Sequence, residues 1–185
     1  MTANVAGLRD HGEARGDDRP RIVPPRTPLL AVLHAVSWAG RIACVVIGAL
    51  HWRRLPDSIP IHFGFAGEPD AWGPRAWLFA IVLLPALLNL AFAVLGHRPW
   101  ILGYPIPITR ENAAAQYALV RVFLAALGVS IAWFCAWIVW RTVRIALGAE
   151  PSLGGWALPA FLAGLAVTIV AYVMAARARR EGGPA

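Results

Sequence analysis

The chain has 185 residues, of which 58% are hydrophobic and only 15% are charged, and its mean hydropathy is +0.58. A soluble domain of this length needs far more polar surface to cover its core, so the composition argues against a soluble protein and favours lipid as the solvent. The formal net charge is +7 and every basic residue is arginine, but the arginines are spread along the chain, so they predict no nucleic-acid-binding patch.

A polar segment of 28 residues precedes the first apolar run. Up to Thr27 it carries five arginines and four acidic residues, and it has too few large apolar side chains to build a core. We therefore expect residues 1–28 to be a disordered tail, and residues 176–185 to be a second, shorter tail. The apolar run that follows is too long for the hydrophobic region of a cleaved signal peptide, so we expect it to remain as a membrane span.

Four apolar runs organise the rest of the chain, at residues 29–50, 76–95, 117–140 and 156–175. Each contains about 20 residues, which as an α-helix span a hydrocarbon layer of roughly 30 Å. Helices satisfy their own backbone hydrogen bonds in lipid. The sequence therefore predicts an all-α fold, a four-helix transmembrane bundle over residues 29–175.

The distribution of arginine predicts the orientation. The two tails and the second loop (96–116) together hold ten arginines, whereas the first loop (51–75) and the third loop (141–155) hold five. The positive-inside rule then places both termini in the cytoplasm. Tryptophans cluster at the predicted outer ends, as an interfacial belt would: Trp52, Trp72, Trp77, Trp137, Trp140 and Trp156.

The first loop has the composition of an ordered cap. Four prolines and three glycines within residues 51–75 indicate defined turns and leave no room for a helix. Between them, Ile59, Ile61, Phe63 and Phe65 recur at every second position. This period predicts a short extended segment that lays its apolar face on the helix ends, and therefore an ordered extracellular loop between helices 1 and 2.

The same loop carries a family resemblance. The residues that carry it are Leu55-Pro56-Asp57, Ile59-Pro60, His62-Phe63-Gly64, Gly67, Asp70 and Trp72-Gly73, followed later by Tyr104 to Asn112 and Gln116-Tyr117. This pattern, over about residues 52–117, resembles the domain-of-unknown-function family 1648, whose best-known members are the SdpI-like bacterial immunity proteins. The resemblance implies a bacterial plasma membrane protein. For the immunity branch it also implies protection against a secreted peptide toxin and relay to a cytoplasmic repressor.

The polar residues of the first loop are the candidate ligand-facing or toxin-facing site: Asp57, His62, Asp70 and Trp72. With Glu68 nearby, the histidine and carboxylates are of the types that bind a divalent cation. No tight ligand spacing supports a metal, so we expect none. We expect His62 to bond to its own turn, and the two aspartates to cap backbone N–H groups beside prolines.

A second candidate site lies inside the membrane. His34, Ser37 and Arg41 fall on one stripe of the first helix. Arg41 lies near the bilayer centre, where a charge is unfavourable by roughly 2.5–3.5 kcal/mol on insertion scales, and no acidic residue occurs in the four runs. Its expected partners are the amide of Asn89 and the backbone carbonyl freed by Pro85 in the second helix. The stripe predicts either a ligand or ion pathway, or an arginine that snorkels or packs for assembly.

The third helix is expected to begin outside the membrane. Thr109 suggests a start near Arg110, before the chain enters the bilayer at Tyr117. Glu111 and Arg121 would then belong to a charged stem, which is either a docking site for a cytoplasmic regulator or simply a solvated helix.

Two functions follow as hypotheses. The first is a non-enzymatic protein that senses, or gives immunity to, a secreted peptide outside and reports to a cytoplasmic regulator inside. The second is a small transporter or channel protomer that uses the stripe from His34 to Arg41, which would need assembly into a homo-oligomer. No nucleophile motif or cofactor motif is present, so we expect no enzyme activity, no cofactor and no nucleic-acid partner.

Overall fold

The computed structural model describes residues 19–179. Most of the predicted N-terminal tail, and the end of the C-terminal tail, lie outside the described residues. Residues 19–27 have no helix or strand and lead directly into the first helix.

Four long helices form the described part of the chain: α1 (Pro28–His51), α2 (Leu78–His97), α3 (Ala113–Ala146) and α4 (Ala157–Ala178). All four are long and apolar enough to cross a membrane. They confirm the predicted fold class, and the chain is a multi-pass membrane protein.

Local capping explains where two of the helices begin. The hydroxyl of Thr27 accepts a hydrogen bond from the Leu30 amide at 3.2 Å, and proline follows it at the first helical position. The third helix begins three residues later than Arg110. The Thr109 amide donates to Asn112 Oδ1 at 2.9 Å and the Asn112 amide donates to Thr109 Oγ1 at 3.3 Å, which closes a turn ahead of the helix.

The helix α3 is the centre of the bundle. It packs against the three other helices and carries more buried residues than those three together, whereas α4 buries little of its surface. Its 34 residues extend about 50 Å, more than one hydrocarbon layer. The approach to α1 is close, because a Cβ on Gly40 would lie 3.1 Å from the Cβ of Ala132. One helix therefore links the two ends of the molecule.

A β-hairpin fills the loop between α1 and α2. Strand β1 (Ser58–Phe63) pairs antiparallel with β2 (Pro69–Pro74). The extended segment was predicted, but its partner strand was not. Ile59 is fully buried, whereas Ile61 is 36% exposed, because the pairing skips Ile61 and the alternation of faces breaks there.

The tip of the hairpin rests on the loop between α3 and α4. The Leu153 amide donates to the carbonyl of Gly67 at 2.7 Å. Gly67 has φ +79°, and a Cβ there would lie 2.9 Å from the backbone nitrogen of Gly154. Glycine is required at this position by both its backbone conformation and the close approach.

The base of the hairpin is fixed by a small apolar core at the same end of the bundle. Its buried residues come from the hairpin segment and from the ends of α2 and α3: Leu55, Ile59, Leu78, Val139 and Val143. The hairpin is therefore part of the fold and not an appendage.

Candidate functional site

A cavity of about 840 Å³ lies between α1 and α2, with α3 as its floor. On α1 its lining residues run from Leu30 to Val46, and on α2 from Val82 to His97. The two helices contact each other near the hairpin, where Gly48 lies against Leu78. From this contact, the cavity extends between the two helices toward the N-terminal end of α1 and the C-terminal end of α2.

Three helices meet at a polar network inside this cavity. The Ser37 hydroxyl lies 2.9 Å from Asn89 Oδ1 and 3.1 Å from the carbonyl oxygen of Gly128, and it can donate to either. The Asn89 amide nitrogen donates to the carbonyl of Pro85 at 2.8 Å and approaches that of Gly128 at 3.4 Å. Ser37 is 1% exposed, so this network lies inside the bundle.

Arg41 joins the network through Ser37. Its Nη1 donates to the Ser37 hydroxyl at 3.1 Å, and its guanidinium lies 4.0 Å from the ring centroid of Trp38. Both partners precede Arg41 on its own helix, so the side chain runs back toward the N-terminal end of α1, as a snorkelling arginine does. Arg41 was expected to contact Asn89 directly, but the two side chains are linked through the Ser37 hydroxyl instead.

The remaining polar group of the stripe, His34, lies on the cavity wall. Within residues 19–179 it makes no hydrogen bond. Near it, at the end where α1 begins and α2 ends, three further basic residues line the cavity: Arg26, His97 and Arg121. The sequence did not reveal this group, because its members come from three separate segments that only the packing of α1, α2 and α3 brings together.

The residues predicted for the outer loop lie together on the hairpin. His62 Nδ1 is 2.6 Å from Asp70 Oδ1, across the strand pair, with the two side chains 70% and 50% exposed. The Asp57 carboxylate is exposed and lies 3.7 Å from Arg75 Nη2. The two aspartates thus contact basic side chains, His62 and Arg75, where backbone N–H groups were expected. Trp72 is 53% exposed beside them.

Phe65 is the aromatic residue of the hairpin that is most exposed, at 88%. The sequence pattern assigned it to the inward face, but it lies in the turn between the strands and points away from the core. Within the described part of the chain, no three histidine, cysteine or acidic side chains come close enough to hold a metal ion.

The opposite end of the molecule is also ordered. Arg19 donates to the carbonyl of Leu102 at 2.6 Å, and Arg121 donates to the carbonyl of Pro24, so residues 19–27 pack onto the rest of the chain. Gln116 donates to the carbonyl of Ala176 at 3.0 Å and ties α3 to the end of α4.

The turn ahead of α3 carries the charged group predicted for a stem. A hydrogen bond with Thr109 lowers the pKa of the exposed Glu111 carboxyl. This turn is a fixed surface feature at the end of the molecule opposite the hairpin.

Residues 41–88 match the family described as "Domain of unknown function (DUF1648)". The match takes in the second half of α1, the hairpin and half of α2. It confirms the resemblance of the first loop to the DUF1648 family, without assigning the chain to the SdpI-like branch, and the stretch from Tyr104 to Tyr117 lies outside it.

A relative of similarly short overlap is found. An uncharacterized protein from Archaeoglobus fulgidus is 41% identical over 46 residues, which cover 25% of this chain and 24% of that protein. The matched segment is thus about a quarter of that relative's length. No solved structure matches the chain. The chain is a multi-pass membrane protein whose hairpin-bearing segment, residues 41–88, matches the DUF1648 family.

Proposed function

We propose that this protein is a non-enzymatic receptor of the bacterial plasma membrane that gives immunity to, or senses, a secreted peptide. The binding surface in this proposal is the hairpin face, defined as His62, Phe65, Asp70 and Trp72, with Asp57 at its edge. The observation that carries the proposal is the combination of a fixed hairpin backbone with exposed side chains of mixed chemistry.

The hairpin backbone is held on two sides. Ile59 is buried in the apolar core at the helix ends, and the carbonyl of Gly67 binds the α3–α4 loop. A surface that is already ordered loses little conformational entropy when a partner binds. This favours recognition of a partner over the role of a simple connection between helices.

The exposed side chains suit a peptide. Phe65 and Trp72 offer aromatic surface, and aromatic residues dominate the binding energy of many interfaces. The pair of His62 and Asp70 adds one group of each charge when the histidine is protonated. Such a face can bind an apolar side chain and fix the orientation of a polar one.

A route for signalling accompanies the binding surface in this proposal. The hairpin tip contacts the loop that follows α3, and α3 continues as one helix to the turn at Thr109. Movement of the hairpin would therefore act on α3. A cytoplasmic regulator would then dock at the inner end, near Arg110 and Glu111.

The test is protection of a sensitive bacterium. Cells that express the protein are challenged with a panel of secreted bacterial peptide toxins, and survival is compared with that of cells with an empty vector. Phe65→Ala and Trp72→Ala should remove protection while membrane abundance stays at the wild-type level. Leu147→Ala, an exposed apolar residue of the neighbouring α3–α4 loop, is the matched control and should protect fully. Equal protection by all variants would refute the hairpin as the binding surface.

A small transporter or channel protomer is the second candidate, and the polar network of Ser37, Arg41 and Asn89 favours it. Polar groups inside a membrane commonly mark a substrate or ion pathway. The cavity that contains them, however, has its last lining residues at Val46 and Val82, and Val82 packs against the apolar core beneath the hairpin. A continuous pathway would need this core to open, or a second protomer to complete it.

Flux measurements separate the two candidates. In sealed vesicles, a transporter would give solute or ion flux that Arg41→Leu and Asn89→Leu abolish, while hairpin variants have mild effects. A receptor would give no flux that depends on these residues.

A further inference from the structure

The cavity between α1 and α2 is basic at one end, holds the polar network of Ser37, Arg41 and Asn89 near its middle, and is apolar toward the hairpin. Arg26, His97 and Arg121 line the end where α1 begins, and none of the lining residues in the described chain is acidic. Toward the hairpin the wall consists of apolar side chains such as Ile42, Val45 and Leu83. An occupant that complements this wall has an anionic head and a long apolar tail.

The basic end is built by tertiary contacts. Arg121 is 8% exposed and donates from Nη1 to the carbonyl of Pro24, which fixes the segment that carries Arg26 beside the start of α1. His97 Nδ1 bonds to the Ala93 carbonyl at 2.7 Å; since a carbonyl can only accept, Nδ1 carries a proton, and the doubly protonated ring has an Nε2–H free to donate to an anion. Three separate segments thus bring their basic groups to one place.

We propose that this cavity binds one anionic phospholipid from the leaflet on the N-terminal side. Its phosphate would lie among Arg26, His97 and Arg121, and one acyl chain would follow the apolar wall between α1 and α2. Basic pockets between transmembrane helices are a known means of binding anionic headgroups. The site is separate from the hairpin face, so the proposal does not depend on the receptor function.

The dimensions of the cavity agree with this occupant. The lining on α1 from Leu30 to Val46 extends about 24 Å along the helix, which exceeds one leaflet of hydrocarbon, about 15 Å. His34 lines the cavity between its basic end and Arg41, where the ester groups of a phospholipid would lie when its phosphate occupies the basic end. An imidazole N–H there can donate to an ester carbonyl.

The test is native mass spectrometry of the full chain in detergent after delipidation. Phosphatidylglycerol or phosphatidylcholine with the same acyl chains is then added to the protein. We expect one tightly retained phosphatidylglycerol and weaker retention of phosphatidylcholine. The Arg26→Gln/Arg121→Gln variant should bind phosphatidylglycerol less tightly, by about five-fold for each arginine removed.

Arg110→Gln/Arg177→Gln is the matched control, because it removes two charges from the same end of the molecule at positions that do not line the cavity. It should bind as the wild type does. Arg26→Gln alone leaves the contact between Arg121 and Pro24 intact, so it tests the site even if the double variant is unstable. The proposal would be overturned if the protein retained both lipids equally, or if the control variant lost as much phosphatidylglycerol binding as the Arg26→Gln/Arg121→Gln variant. Displacement of the lipid by inorganic phosphate would also overturn it.

Discussion

The hydroxyl oxygen of Ser37 on α1 lies 2.9 Å from Oδ1 of Asn89 on α2, and both side chains approach the carbonyl oxygen of Gly128 on α3. This contact joins the three helices that enclose the cavity. Hydrogen bonds between helices in membranes contribute on average about 0.6 kcal/mol and at most about 1.7 kcal/mol each. The network is therefore a modest source of stability, and its geometry determines which side chains face the cavity.

Gly128→Ala should disrupt this network. A Cβ at Gly128 would collide with Asn89 Oδ1, so the asparagine side chain must move and its contact with Ser37 is disturbed. We expect a loss of about 1–3 kcal/mol, the usual range for overpacking, measured as a lower thermal midpoint in detergent. Gly164→Ala on α4 is the control, since a Cβ there meets no atom within 4 Å. If the two variants had the same thermal midpoint, the close contact between Gly128 and Asn89 would be contradicted.

Arg41→Leu should insert and fold as well as the wild type. Its described contacts, to Ser37 and Trp38, are within its own helix, and removal of the charge removes an insertion penalty of roughly 2.5–3.5 kcal/mol. Membrane abundance and thermal midpoint are the measurements. Asn89→Leu is the contrast, because Asn89 joins different helices, and it should lower the midpoint. A fall in abundance for Arg41→Leu would instead identify the arginine as an assembly residue.

Gly67→Ala should detach the hairpin from the α3–α4 loop. Its φ of +79° is unfavourable for alanine, and the new Cβ would press on the backbone of Gly154. We expect a destabilisation of about 1–3 kcal/mol and faster hydrogen exchange at the Leu153 amide, whose acceptor is the Gly67 carbonyl. Gly103→Ala provides the comparison, because its site is open and its φ is ordinary. Unchanged exchange at Leu153 would contradict the contact.

The four helices were predictable because an apolar run of about 20 residues has one stable form in lipid. Strand β2 was missed because Pro69, Gly73 and Pro74 read as turn residues. In a two-stranded sheet both strands are edges, and an edge strand tolerates proline where a central strand does not. Likewise, the period-two pattern could not show that the pairing skips Ile61.

The candidate sites were predictable only in part. His34, Ser37 and Arg41 share a stripe because helical spacing alone fixes it. The basic end of the cavity was not predictable, since the meeting of Arg26 with Arg121 depends on a contact between segments almost a hundred positions apart. The pairing of His62 with Asp70 likewise depends on the strand register.

The orientation of the hairpin is the claim on which the receptor proposal depends most directly, and single-cysteine labelling measures it. In a background with Cys44 and Cys135 replaced, cysteines at Ser58 and Ser152 should react with a membrane-impermeant maleimide on intact cells. A cysteine at Ala114, exposed at the opposite end, should react only after lysis. Labelling at Ala114 on intact cells, with protection at Ser58, would place the hairpin in the cytoplasm and contradict the account.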